Sequence, residues 1–128
     1  MLSEDNRWMI DWIRKHGKDV PIAHWSDNDI AFTLYHATQE RRILWTYNQQ
    51  HELTGLIIWK ALPEDRILYV AQLIVTETAA LVEMLRMCIE AFPGWMIHGY
   101  RATHGIKCYD PVKLRNRIIA QHRHCSCA

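Results

Sequence analysis

The chain has 128 residues and a mass of 15.2 kDa, with 49% hydrophobic and 23% charged residues, enough for one domain with a core. That composition excludes intrinsic disorder, and no stretch reaches the roughly 18 uninterrupted apolar residues of a membrane-spanning helix. The net charge of +1 conceals a division: residues 101–128 hold six Lys or Arg against one acid, and the first hundred hold nine against thirteen. A basic end on an acidic body suits an anionic partner such as nucleic acid or a phosphorylated cofactor, or else a solvated helix face.

The opening Met-Leu-Ser-Glu-Asp-Asn is acidic and polar where the basic start of a secretion signal would lie, so a soluble, cytoplasmic protein is expected. The first helix is expected from a Ser3 cap, with Glu4 and Asp5 in its first turn. Trp8 and Trp12, with Met9 and Ile13 beside them, form its apolar stripe. Arg14, Lys15 and His16 complement its end, and Gly17 is expected to stop it. A second helix begins at the cap Ser26, carries Asp27 and Asp29 in its first turn, buries Ile30, Leu34 and Ala37, and ends near Glu40.

The period then changes. Ile43, Trp45 and Tyr47 alternate as in a half-buried strand, residues 48–52 make a polar turn, and 55–61 are a β-branched and aromatic second strand. After the turn at 62–65, residues 67–75 are apolar on both faces, which predicts the centre of the sheet. Two short connections in succession predict an antiparallel meander. Thr76 is the expected cap of a helix over 77–92 that buries Leu81, Leu85, Cys88, Ile89 and Phe92. Pro93-Gly94 ends it, and residues 95–101 form a fourth strand, parallel to the third because a helix separates them. Residues 106–109 follow as a short, extended segment, and Asp110-Pro111 starts a last helix. The expected order is α-α-β-β-β-α-β-α: a single α/β domain over residues 1–121 with a mixed, mostly antiparallel sheet flanked by helices, then a loose tail over 122–128.

This order, carried by Thr54-Gly55-Leu56-Ile57-Ile58-Trp59, by residues 67–75 and by the helix after Thr76, resembles the GNAT superfamily of acetyl-CoA-dependent N-acyltransferases. Gly99-Tyr100-Arg101 is similar to small, divergent, often phage-encoded members. The resemblance implies acetyl-CoA or another acyl-CoA as donor, an amine on a small molecule or protein as acceptor, and no metal. It also implies that Ile74, Val75, Thr76, Thr78 and Ala79 hold the cofactor. In the family a glycine-rich turn there brings backbone N–H groups to the pyrophosphate. Here the stretch is Val75-Thr76-Glu77-Thr78-Ala79-Ala80-Leu81, without glycine and with a carboxylate at Glu77. Pro21-Ile22-Ala23-His24-Trp25 is faintly similar to the catalytic segment of toxin-activating lysine acyltransferases. Those enzymes pair their histidine with an acid on the central strand, where this chain has Gln72 to Val75.

Acyl transfer to an amine needs a base for the amine proton and an acid for the departing thiolate. His98, on the fourth strand and near neutrality in its ordinary titration, is the candidate base; a hydrogen-bonded structural histidine is the alternative. Tyr109, near where the family's thiolate-protonating tyrosine occurs, is the candidate acid, with Tyr100 as substitute; either could instead be a boundary aromatic. His122, His124, Cys125 and Cys127 are zinc ligands by type but crowd six residues, so a disordered tail or an adventitious site is expected rather than a metal centre. Trp8 and Trp12 could form a patch for a protein partner. Two functions remain in view: an acyl-CoA-dependent N-acyltransferase, and a catalytically silent GNAT-like module that binds protein or nucleic acid.

Overall fold

The computed structural model describes the backbone of residues 7–101 and 105–109 and the side chains of residues 7–99. Among these residues, three α-helices, α1 (Arg7–His16), α2 (Asp27–Gln39) and α3 (Thr78–Ala91), flank a five-stranded sheet. Its strands are β1 (Ile43–Tyr47), β2 (Leu53–Leu62), β3 (Ile67–Val75), β4 (Met96–Arg101) and β5 (Gly105–Tyr109), lying side by side in chain order. The meander β1–β2–β3 is antiparallel, β4 runs parallel to β3, and β5 pairs antiparallel with β4. The chain is therefore α/β, with β3 in the middle of a mixed sheet. The expected order contained no separate fifth strand. Gly105 to Tyr109 supply it, because a short return after Arg101 lets the extended segment take up the free edge of β4. The expected last helix from Asp110 and the tail at 122–128 lie outside the described residues. Among the described residues, no helix is long and apolar enough to cross a membrane.

A β-bulge in β3 organises the core. Ile58 pairs with Gln72 and Trp59 with Val70, which leaves Ala71 as an extra residue. Side chains of a regular strand keep their face at every second position; one added residue reverses the assignment. Leu68 and Val70 before the bulge, and Leu73 and Val75 after it, pack with Met84, Cys88 and Ile97 under α3. Ile74 packs on the opposite face with Ile10, Ile13, Ile22, Ile30 and Leu34 from α1, the 3₁₀ turn Pro21–His24 and α2. This is why β3 looks apolar on both faces in the sequence.

The buried faces of α1 and α3 depart from their sequence patterns. Ile10 and Ile13 are the buried residues of α1, with Met9 and Trp12 half-buried. Trp8 remains 43% exposed, its ring 5.8 Å from that of Trp45. The α3 core face is Ala80, Met84 and Cys88, not the expected stripe begun by Leu81; Leu85, Ile89 and Phe92 pack at its margin. An almost uniformly apolar helix does not fix its own rotation. Thr76 does not cap α3: its N–H and its hydroxyl both donate to the Thr54 carbonyl, at 2.9 and 3.3 Å, and Glu77 occupies the cap without a side-chain hydrogen bond. Gly17 follows the end of α1 as expected: the helix closes at His16, and the Gly17 N–H makes a last bond to the Ile13 carbonyl at 2.8 Å. Its role is close approach to β3, since an added Cβ would lie 2.5 Å from Ile74 Cδ1.

The start of α2 follows its pattern. Ser26 Oγ accepts from the Asp29 N–H at 3.2 Å, and Ile30, Ala31, Leu34 and Ala37 are buried. Its end is a left-handed cap: Arg41 has φ 56°, and the Arg42 N–H reaches back to the Ala37 carbonyl at 2.8 Å. Asp27 ties α2 to α1 through ion pairs with Arg14 and, at 2.9 Å, with Arg7. The hydrogen bond from Arg14, followed by the charges of both guanidinium groups, holds the Asp27 carboxyl below its ordinary range. A depressed folded-state value adds stability above the unfolded value, about 3.9, and loses it as pH falls through the folded one. Acid titration of thermal stability should therefore fall less steeply below about pH 4 in Asp27→Asn than in wild type; identical acid limbs would rule the link out.

Candidate functional site

The parallel pair β3–β4 is zipped only at its beginning. Ile67, Leu68, Tyr69 and Val70 pair with Met96, Ile97, His98 and Gly99, after which the ladder stops although β3 continues to Val75 and β4 to Arg101. The bulge at Ala71 immediately follows the last pair, so its kink coincides with the divergence. Beyond Val70, the β4-facing edge of β3 has no strand partner among the described residues, yet Gln72 and Ile74 are buried. Ligands of open α/β sheets bind beyond the carboxyl ends of parallel strands, and this opening has that location.

His98 lies one residue before the divergence, half-buried, with Tyr69 and Cys108 as register partners. Strand alternation places it opposite Ile97, which packs under α3, and hence on the face that bears α1 and α2. Tyr100 follows the last paired residue of β4, Gly99, and stands opposite Ile106. Tyr109 is the last residue of β5, opposite Ile97. Two residues of strand, about 7 Å, separate that level from Gly99. The backbone thus brings His98 and Tyr100 to the mouth of the opening and sets Tyr109 below it.

The expected cofactor segment divides into two parts. Ile74 and Val75 end β3, with Ile74 Cδ1 against Gly17 and Val75 paired with Gly55. The Thr76 hydroxyl is engaged by Thr54, whereas Thr78 and Ala79 are exposed in the first turn of α3. With no side-chain cap, the first N–H groups of α3 keep their capacity to donate. An amide-bearing arm fits the unpaired edge of β3, which can hydrogen-bond it as it would a strand. A pyrophosphate fits the helix start less well, because Glu77 is exposed at the cap and would oppose an anion.

Gln72 is the polar residue that sequence reasoning passed over except as a missing acid. It is only 7% exposed, and its Oε1 accepts the Ile22 N–H at 3.3 Å, joining β3 to the 3₁₀ turn fifty residues earlier. A polar side chain in an apolar central strand was the available signal. His24 is exposed, its Nε2 2.7 Å from the Lys18 carbonyl oxygen, on the other side of that turn from the buried Ile22 and Ala23. Cys88 is buried under α3, and burial pushes its thiol up to about 11, so it is a core side chain and not a thiolate nucleophile. Among the described residues, no three His, Cys, Asp or Glu side chains cluster as metal ligands. The chain matches no protein-family model, no curated protein and no solved structure.

Proposed function

We propose that the chain is a divergent GNAT-like N-acyltransferase that moves an acyl group from acyl-CoA to an amine. The observation that carries this reading is the divergence of β3 from β4 after Val70 and Gly99, which leaves a buried strand edge without a partner among the described residues. Residues 74–76 and the first-turn N–H groups at Thr78 and Ala79 would hold the cofactor, which when bound supplies an acyl group activated as a thioester. His98 takes the proton of the acceptor amine at a ring nitrogen. The hydroxyl of Tyr100 supplies a proton to the departing sulfur; register favours it over Tyr109, the residue suggested by resemblance.

The test is calorimetric titration of the full chain with acetyl-CoA, with desulfo-CoA as control. Micromolar binding of both is expected, as is a 10²- to 10⁴-fold loss of acyl transfer in His98→Ala with binding retained. Tyr100→Phe should lower turnover more than Tyr109→Phe. Silence at millimolar cofactor would eliminate the CoA-dependent reaction. That result would favour the second reading, a catalytically silent binding module, which the exposed Glu77 in a glycine-free turn supports. Trp8, exposed beside Trp45, is the surface on which such a module would be probed first, and the basic 101–128 stretch the second.

A further inference from the structure

Gln72 occupies the first position past the bulge, at the level where β4 has left β3. Its hydrogen bond to Ile22 determines what it can offer a ligand. A backbone N–H only donates, so the amide oxygen must face Ile22, and the amide nitrogen points the other way. Among the described residues, that nitrogen has no hydrogen-bond partner, and no fully enclosed side-chain nitrogen or oxygen is left unsatisfied. Among the described residues, the Nε2 group is therefore not sealed in the core but left free to donate at its margin. With Oε1 engaged, Gln72 presents two N–H donors and no acceptor.

We infer that Gln72 recognises a carbonyl oxygen of the acceptor, which makes the acceptor an amine that also bears an amide, as in an amino-acid amide or a peptide. A carboxylate is the poorer match. Among the described residues, the buried polar side chains are Thr46, Thr54 and Gln72, none of them charged, and a desolvated anion needs a buried cation. Placement agrees with this chemistry. Gln72 faces the layer of α1, the 3₁₀ turn and α2, the same sheet face as His98, so an amine at His98 and a carbonyl at Gln72 would be bound from one side. Naming this ligand an acyl acceptor rests on the proposed acyl transfer; the hydrogen bond itself does not.

The full chain, labelled with ¹⁵N, is titrated with β-alaninamide and separately with propylamine, following the Gln72 side-chain amide resonance. A shift with the amide and none with the simple amine is expected. No shift, or equal shifts with both, would overturn the inference. In acetyl transfer from acetyl-CoA, Gln72→Met and Gln72→Glu should raise KM for β-alaninamide by about three- to tenfold, the value of one hydrogen bond. Propylamine should change by less than about twofold under the same substitution. Because Gln72→Glu retains an oxygen for the Ile22 N–H, equal losses with both amines in that variant would mark a structural role and also overturn it. A wild-type chain that shifts with β-alaninamide but binds no acetyl-CoA would defeat the acyltransferase reading and leave the recognition of the amide standing.

Discussion

Met84→Ala should destabilise the domain by about 2–5 kcal/mol, measured by urea unfolding. Met84 is fully buried at the centre of the α3 core face, between Ala80 and Cys88, and its Cε lies against Gly55 of β2. Truncation removes Met84 from the cluster it forms with Ile57, Leu68, Val70, Cys88 and Ile97 and leaves a cavity that the sheet beneath cannot collapse to fill. Leu81→Ala, one helical step from that face, should cost less, because Leu81 is only half-buried and is not among the side chains of this cluster. Equal losses in the two variants would mean that the α3 rotation described above is wrong.

Gly17→Ala should cost about 1–3 kcal/mol, the range for overpacking a filled core. The new methyl would lie 2.5 Å from Ile74 Cδ1 and 2.8 Å from the Ile13 carbonyl oxygen. The first clash is with a side chain that could be shortened, the second with backbone. Ile74→Val removes the Cδ1 methyl, so the double variant should lose less than the sum of the single losses, with a coupling of about 0.5–3 kcal/mol. Simple additivity in the cycle would show that Gly17 matters for its own backbone and not for its approach to β3.

Much of the fold was legible because local chemistry and tertiary placement agree. Ser26 caps α2 where its spacing to Ile30 and Leu34 required, the short turns gave the meander, and the long crossover through α3 gave a parallel β4. What stayed hidden lacked a periodic signature. In Ile-Leu-Tyr-Val-Ala-Gln-Leu-Ile-Val nearly every residue is apolar, so no alternation betrays the extra residue at Ala71. The α3 sequence is similarly uniform, so its buried face could be fixed only by the sheet below it. At the site, residue types singled out His98 and the tyrosines, but only the register shows that Tyr100 stands at the divergence and Tyr109 below it. Gln72 was visible in the sequence as a non-acid; its importance comes from a hydrogen bond to a residue fifty positions away.

The bulge at Ala71 also constrains how the gene can change. Substitutions alter one side chain at a time, and the polar turn at 48–52 lies between strands, where a change of length is absorbed locally. Loss of one codon at 71 would restore regular pairing and leave every later β3 side chain on its present layer, because Gln72 would still oppose Ile58 and Leu73 would still oppose Ile57. Loss of the codon for Gln72 with the bulge kept would instead set Leu73 opposite Ile58 and Ile74 opposite Ile57, so that Ile74 would enter the packing under α3 and Leu73 and Val75 would face α1. Reading-frame-preserving deletions should therefore be tolerated at 71, where the extra residue sits, and purged from the positions after it.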